Sequence, residues 1–166
     1  MRRIATALVS LAALACLGVA LRGHWPGRQS LAQVSDGAAL LFPFGAIVER
    51  QCAQTRDDLG VDVRVETLRA GAEPIAQLAE RRFRELGVGG AAPTGGILIL
   101  LDEEGAQARI EVSYSLEGLL PDAIVSRIAR DQLVPYASHD AAGVAVMDVV
   151  HFLRDRLLDG VASGEL

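Results

Sequence analysis

Hydrophobic and polar positions along this chain alternate in patterns that turn residues interrupt. The densest pattern lies between Gly95 and Asp122 and reads GGILILLDEEGAQARIEVSYSLEGLLPD. An unbroken apolar run, Ile97 to Leu101, ends in Asp102-Glu103-Glu104-Gly105. A second run follows, in which Ile110 and Val112 alternate with Arg109, Glu111 and Ser113. Two such runs across a short Gly-containing loop predict a β-hairpin. The first is apolar on both faces and belongs in the middle of a covered sheet, while the second alternates as a half-exposed strand does. Upstream, Val61, Val63 and Val65 alternate with Asp62, Arg64 and Glu66 and predict another strand.

The remaining apolar positions recur at helical spacing. Phe42-Pro43-Phe44 marks the start of a first helix running to about Asp58, with Phe44, Val48, Cys52 and Leu59 inward and Gly60 at its end. A second helix is predicted over 73–86, with Pro74 in its first turn and Ile75, Leu78, Ala79, Arg82 and Phe83 on its inner side. After the hairpin, Pro121-Asp122 opens a third helix that ends near Pro135-Tyr136. A fourth, 141–158, is apolar over so wide an arc that it must be largely buried against the sheet or the first helix. The order helix, strand, helix, hairpin, helix, helix is that of a small layered α/β domain.

The N-terminal end follows another rule. Arg2 and Arg3 precede an uncharged run from Ile4 to Leu21, about eighteen residues, which lies between a long signal-peptide core and a spanning helix. Arg22, His24 and Trp25 form an interfacial edge. Three outcomes fit this pattern: an uncleaved anchor, cleavage after Gly18-Val19-Ala20, or lipidation of Cys16. Each sends the rest of the chain to the outer side of the cytoplasmic membrane. The expected organisation is an anchor or signal over 1–22, a linker over 23–39, one domain over 40–160 and a tail over 161–166.

Composition narrows the chemistry. A net charge of −5 and a pI near 5.2 argue against a nucleic-acid partner. All 16 basic residues are arginines, which excludes a Schiff-base lysine and the P-loop lysine. Gly87-Val88-Gly89-Gly90-Ala91-Ala92 fits a loose dinucleotide fingerprint, but a helix precedes it and a strand follows, the reverse of what that fingerprint needs. No nucleotide cofactor is expected. The two cysteines and three histidines show no zinc spacing.

The candidates for chemistry are carboxylates: Asp102, Glu103 and Glu104 in the hairpin turn, and Glu117 and Asp122 around the third helix start. Ligands in open α/β sheets gather outside the carboxyl ends of the strands, which favours Asp102. The hairpin places Glu117 about a strand length from Asp102, so two acidic corners are expected. Oxygen ligands of this kind suit calcium or magnesium better than zinc. The competing reading is a solvated turn, with Asp122 serving a helix dipole.

The segments GGILILLDEE, IEVSYSLEG, LLPD and DQLVPY resemble the TPM domain family, over about residues 46–158. These are extracytoplasmic domains of bacterial envelope and plant thylakoid proteins. The resemblance implies a three-layer α/β/α sandwich with a small mixed sheet. It also implies links to photosystem repair, to acid phosphatase activity and to calcium or other divalent-cation binding, and it adds Asp140 to the candidate metal ligands. The chain departs from the family pattern in having Gly95-Gly96 for an Asn-Gly, and Ser113 and Ser115 for the glycines around Tyr114. The function expected is a membrane-tethered accessory module that binds an envelope protein partner, with metal-assisted acid phosphatase as the alternative.

Overall fold

The computed structural model describes residues 33–166. The apolar N-terminal run and most of the expected linker lie outside the described residues. Four strands form one sheet in the order β1-β2-β3-β4, where β1 is Val34–Asp36, β2 Val61–Leu68, β3 Gly95–Asp102 and β4 Gln107–Val112. The first three are parallel; β4 returns antiparallel to β3, with Ile97 opposite Val112 and Asp102 opposite Gln107. The hairpin, the central strand and the sheet's mixed character agree with the sequence.

Period-two alternation assigns the two faces of the sheet. Val63, Val65, Ile97, Ile99, Leu101 and Ile110 form one face and carry the larger core. It is covered by α1 (Gly45–Leu59), α3 (Asp122–Ile128) and α4 (Ala142–Ser163). Leu98 and Leu100 on the opposite face meet Leu78 and Ala79 of α2 (Ile75–Glu85). Every residue of β3 is buried, as an apolar strand between two helical layers must be. The result is the three-layer α/β/α sandwich. Arg82 of α2 also reaches across to Glu66 of β2, at 2.5 and 2.8 Å, and ties the smaller layer to the sheet. On the other side, Arg154 of α4 reaches Asp58 and Thr55 of α1. The first helix ends at Gly60, whose left-handed φ of 66° turns the chain into β2.

Three elements differ from the sequence reading. Strand β1 forms inside the stretch taken as linker; three residues are too few to show a period. The third helix changes pitch, with a π-helical turn over Ala129–Leu133 and a 3₁₀ turn over Val134–Tyr136. Helix α4 runs to Ser163, five residues beyond the expected end.

Buried aspartates brace the loops. At the end of β1, Asp36 accepts the backbone N–H groups of Leu40 and Leu41 at 2.9 and 3.1 Å, and the Thr67 hydroxyl at 2.5 Å. At the start of β2, Asp62 accepts the N–H of Gly89 at 3.1 Å. At the end of β3, Asp102 accepts those of Ala70 and Gly71 at 2.8 and 3.0 Å. Asp102 is fully buried, which corrects its reading as a member of a solvated turn. Asp102→Ala leaves two partly buried N–H groups without their acceptor, so it should destabilise the fold by about 3 kcal/mol. Urea unfolding of the full chain in neutral detergent measures this, and Asp122→Ala, at an exposed carboxylate, should cost under about 1 kcal/mol.

The departures from the family pattern fit one another. Gly95 has φ 138°, and a Cβ there would lie 2.3 Å from the Ser113 hydroxyl and 2.4 Å from that of Ser115. Ser113 accepts the N–H of Gly96 at 3.0 Å, and Ser115 donates to the Thr94 carbonyl at 2.7 Å. The two hydroxyls therefore occupy the space that a side chain at residue 95 would take. Gly95→Asn should cost about 2 kcal/mol or more in the native background. In the Ser113→Gly, Ser115→Gly background the cost should fall by at least about 1 kcal/mol, a coupling that a double-mutant cycle of unfolding free energies reads directly.

Candidate functional site

The carboxyl ends of the three parallel strands open into a pocket of about 220 Å³. Its walls come from three chain segments. The loop after β1 supplies Ala38, Leu40 and Phe42; the β2 and β3 ends supply Arg69 and Glu103; the connector before α4 supplies Ser138, His139 and Asp140. The position is the one expected of an open α/β sheet. Asp36 and Asp102 lie behind these loops and fix them through backbone N–H groups, without presenting their own carboxylates to the pocket.

Arg69 is the pocket's guanidinium. It donates through Nε to Glu103 and through a second nitrogen to the Ala38 carbonyl at 3.4 Å, which joins two of the three walls. The hydrogen bond it donates to Glu103, and then that residue's charge, hold its pKa above the ordinary arginine value. The ion pair is solvent-accessible, with 61% of the Arg69 side chain and 27% of Glu103 exposed, so a polar ligand can compete for either partner.

The five carboxylates expected as metal ligands divide among three places. Glu103 and Asp140 line the strand-end pocket together. Asp102 is inside the protein, bound to backbone. Glu117 and Asp122 line a separate recess of about 60 Å³ with Glu111, against β4 and α3. Asp122 is already engaged there, accepting from Arg109 at 2.9 Å and from Ser126 at 3.2 Å. Burial alone would lower the pKa of Arg109, but its bonds to Glu111 and Asp122 outweigh burial and raise it. The two acidic corners expected from the hairpin are thus present and separate. Among the described residues, no group of three or more His, Cys, Asp or Glu side chains is arranged to hold a metal ion.

Two pocket residues lay outside the sequence reading. Arg69 follows a strand with no motif around it, and His139 was visible only as a scattered histidine. Their signal is positional: both follow elements that deliver them to the same sheet end. Tyr114 stands 89% exposed on a 3₁₀ turn at the other end of the sheet. Cys52 is a core residue; burial, and then the charges of Glu49 and Asp62, push its thiol pKa up, which suppresses the thiolate.

No curated protein matches the chain. The solution structure of the N-terminal domain of a protein from P. gingivalis is similar, with TM-score 0.65 and 29% identity, covering 82% of this chain and 89% of that one. The BA42 protein from the psychrophilic bacterium Bizionia argentinensis is similar in fold, with TM-score 0.58 at 15% identity, covering 70% of this chain and 79% of that one. The sequence profile of the TPM domain matches residues 34–155, from the first residue of β1 into α4. The chain belongs to the TPM domain family.

Proposed function

We propose that this chain is a membrane-tethered, extracytoplasmic binding module whose ligand site is the strand-end pocket. The observation that supports this reading most is the convergence of Arg69, Glu103, His139 and Asp140 at the carboxyl ends of β1 to β3, where buried aspartates brace the loops after β1 and β2. Such a site is built to present charged groups in fixed places. The tether comes from the apolar run of residues 4–21 with its Arg2-Arg3 start, and the partner is an envelope protein.

Divalent cations are proposed as weak ligands of Glu103 and Asp140. Two side-chain carboxylates are few for calcium, which takes six to eight oxygens, and one of them must first exchange Arg69 for the ion. Binding no tighter than sub-millimolar follows. Hydrolysis is disfavoured by the arrangement around the nearest hydroxyl. Ser138 lines the pocket beside His139, yet among the described residues no hydrogen bond joins their side chains, and a serine nucleophile needs a base in reach.

Titration of the isotopically labelled full chain with calcium or magnesium should move the amide signals of Glu103 and Asp140 with a midpoint near or above about 1 mM. Glu103→Gln and Asp140→Asn should each remove the response. A flat titration through several millimolar rejects cation binding. Turnover of p-nitrophenyl phosphate should stay well below about 1 s⁻¹; a faster rate, lost in Asp140→Asn, replaces the binding module with a phosphatase. For the address, a C-terminal alkaline phosphatase fusion should be active and fractionate with membranes. An inactive fusion refutes export.

A further inference from the structure

We propose that the groove between the π-helical turn and the start of α4 is a docking surface for a short cationic segment of a partner polypeptide. That segment carries an aromatic or aliphatic anchor flanked by arginine or lysine. The groove encloses about 490 Å³, more than twice the strand-end pocket and within the range of about 300–1,000 Å³ that accommodates ligands. The two cavities share no lining residue, so this proposal and the strand-end site stand or fall separately.

The groove has an apolar floor and an acidic rim. Tyr136, Val144 and Ala145 line it; Tyr136 is 41% and Val144 37% exposed, although each is large enough to belong in a core. Contact between such residues and water is unfavourable by about 25 cal/mol per Å² of apolar surface, and an anchor side chain would remove that contact. Val144, Ala145 and Asp148 share one side of α4, one turn apart, so the anchor and the rim act on adjacent positions.

Charge selects the flanks of the partner. The two carboxylates at the rim are Asp131 and Asp148, and no arginine lines the groove. Asp131 is paired with its neighbour Arg130 at 2.9 Å. The Asp148 side chain has no hydrogen bond or ion pair among the described residues. An exposed, unpaired carboxylate beside an apolar floor attracts a cation and repels an acidic segment. Gln132 supplies an amide donor and acceptor at the same rim, the groups an extended backbone needs. The opposite wall is the π-helical turn itself. Such turns are rare overall and frequent at functional sites.

The test uses three fluorescein-labelled peptides and the full chain in neutral detergent: Arg-Ala-Trp-Leu-Ala-Arg, Arg-Ala-Ala-Ala-Ala-Arg and Glu-Ala-Trp-Leu-Ala-Glu. Anisotropy should show the first binding with a Kd of about 1 mM or tighter, and at least about tenfold more tightly than either control. Amide shifts should map to Asp131, Gln132, Tyr136, Val144, Ala145 and Asp148. Asp148→Asn should weaken the first peptide about threefold or more. Val144→Arg should weaken it about tenfold, with far-ultraviolet circular dichroism unchanged, and Arg69→Ala should leave it unaltered. Equal binding of the alanine peptide overturns the apolar anchor, and equal binding of the acidic peptide overturns the charge selection. Absence of binding by all three, or shifts confined to the strand-end pocket, overturns the groove.

Discussion

The constraint on which the rest of this structure depends is the satisfaction of backbone N–H groups where the loops meet the parallel strands. A buried N–H without a partner costs about 1–3 kcal/mol, and loops at strand ends have no ladder to supply one. Here three buried carboxylates do so. Asp36 takes Leu40 and Leu41, Asp62 takes Gly89, and Asp102 takes Ala70 and Gly71. Each aspartate sits on a strand while the groups it accepts lie in a loop. The sheet thereby fixes the backbone of these loops, beside the apolar burial of Leu40, Leu41 and Val88. Two of the three lie at the carboxyl end of the sheet, which is why the Arg69 and Glu103 side chains meet the His139 connector in a defined place.

The same logic explains how the chain departs from its family without losing the fold. Gly95 and Gly96 remove a side chain at the start of β3, and Ser113 and Ser115 add two hydroxyls where the family pattern has glycines. In this chain the two hydroxyls fill the space that a side chain at residue 95 would take. Ser113 serves the Gly96 N–H, and Ser115 serves the Thr94 carbonyl. A motif comparison scores two losses here; the geometry records one exchange.

Much of the fold was legible because it rests on periodicity over many residues. The β3 run, the alternation of β2 and the helical spacing of α1 and α2 are long enough to signal faces, and the faces dictate layers. What escaped has local causes. Val34-Ser35-Asp36 is a strand because Val65 and Thr67 pair beside it, a partnership no three-residue pattern encodes. Asp102 reads as the first acid of a polar turn, while the groups that need it lie over thirty residues earlier. The acidic corners were legible as a pair because the hairpin fixes their separation. Their divided roles were not, since Asp122 is engaged by Arg109 and Ser126, and Glu103 by Arg69, through contacts that depend on tertiary placement.

Charge balance then decides what the strand-end pocket favours. Arg69 and Glu103 neutralise one another at its rim, and Asp140 adds a second carboxylate next to His139. A bare anion meets an arginine whose charge Glu103 already balances, and a nearby negative charge. A divalent cation meets two carboxylates, but must release Arg69 from one of them. Both therefore bind at the expense of an existing ion pair, which near the surface is worth at most about 1 kcal/mol. A ligand that carries both signs avoids that cost, because it can give a cation to Glu103 and an anion to Arg69 while the two separate. Peptide segments and zwitterionic headgroups have that character, and inorganic phosphate does not. The electrostatics of the pocket thus favour a ligand that carries both signs over either ion alone.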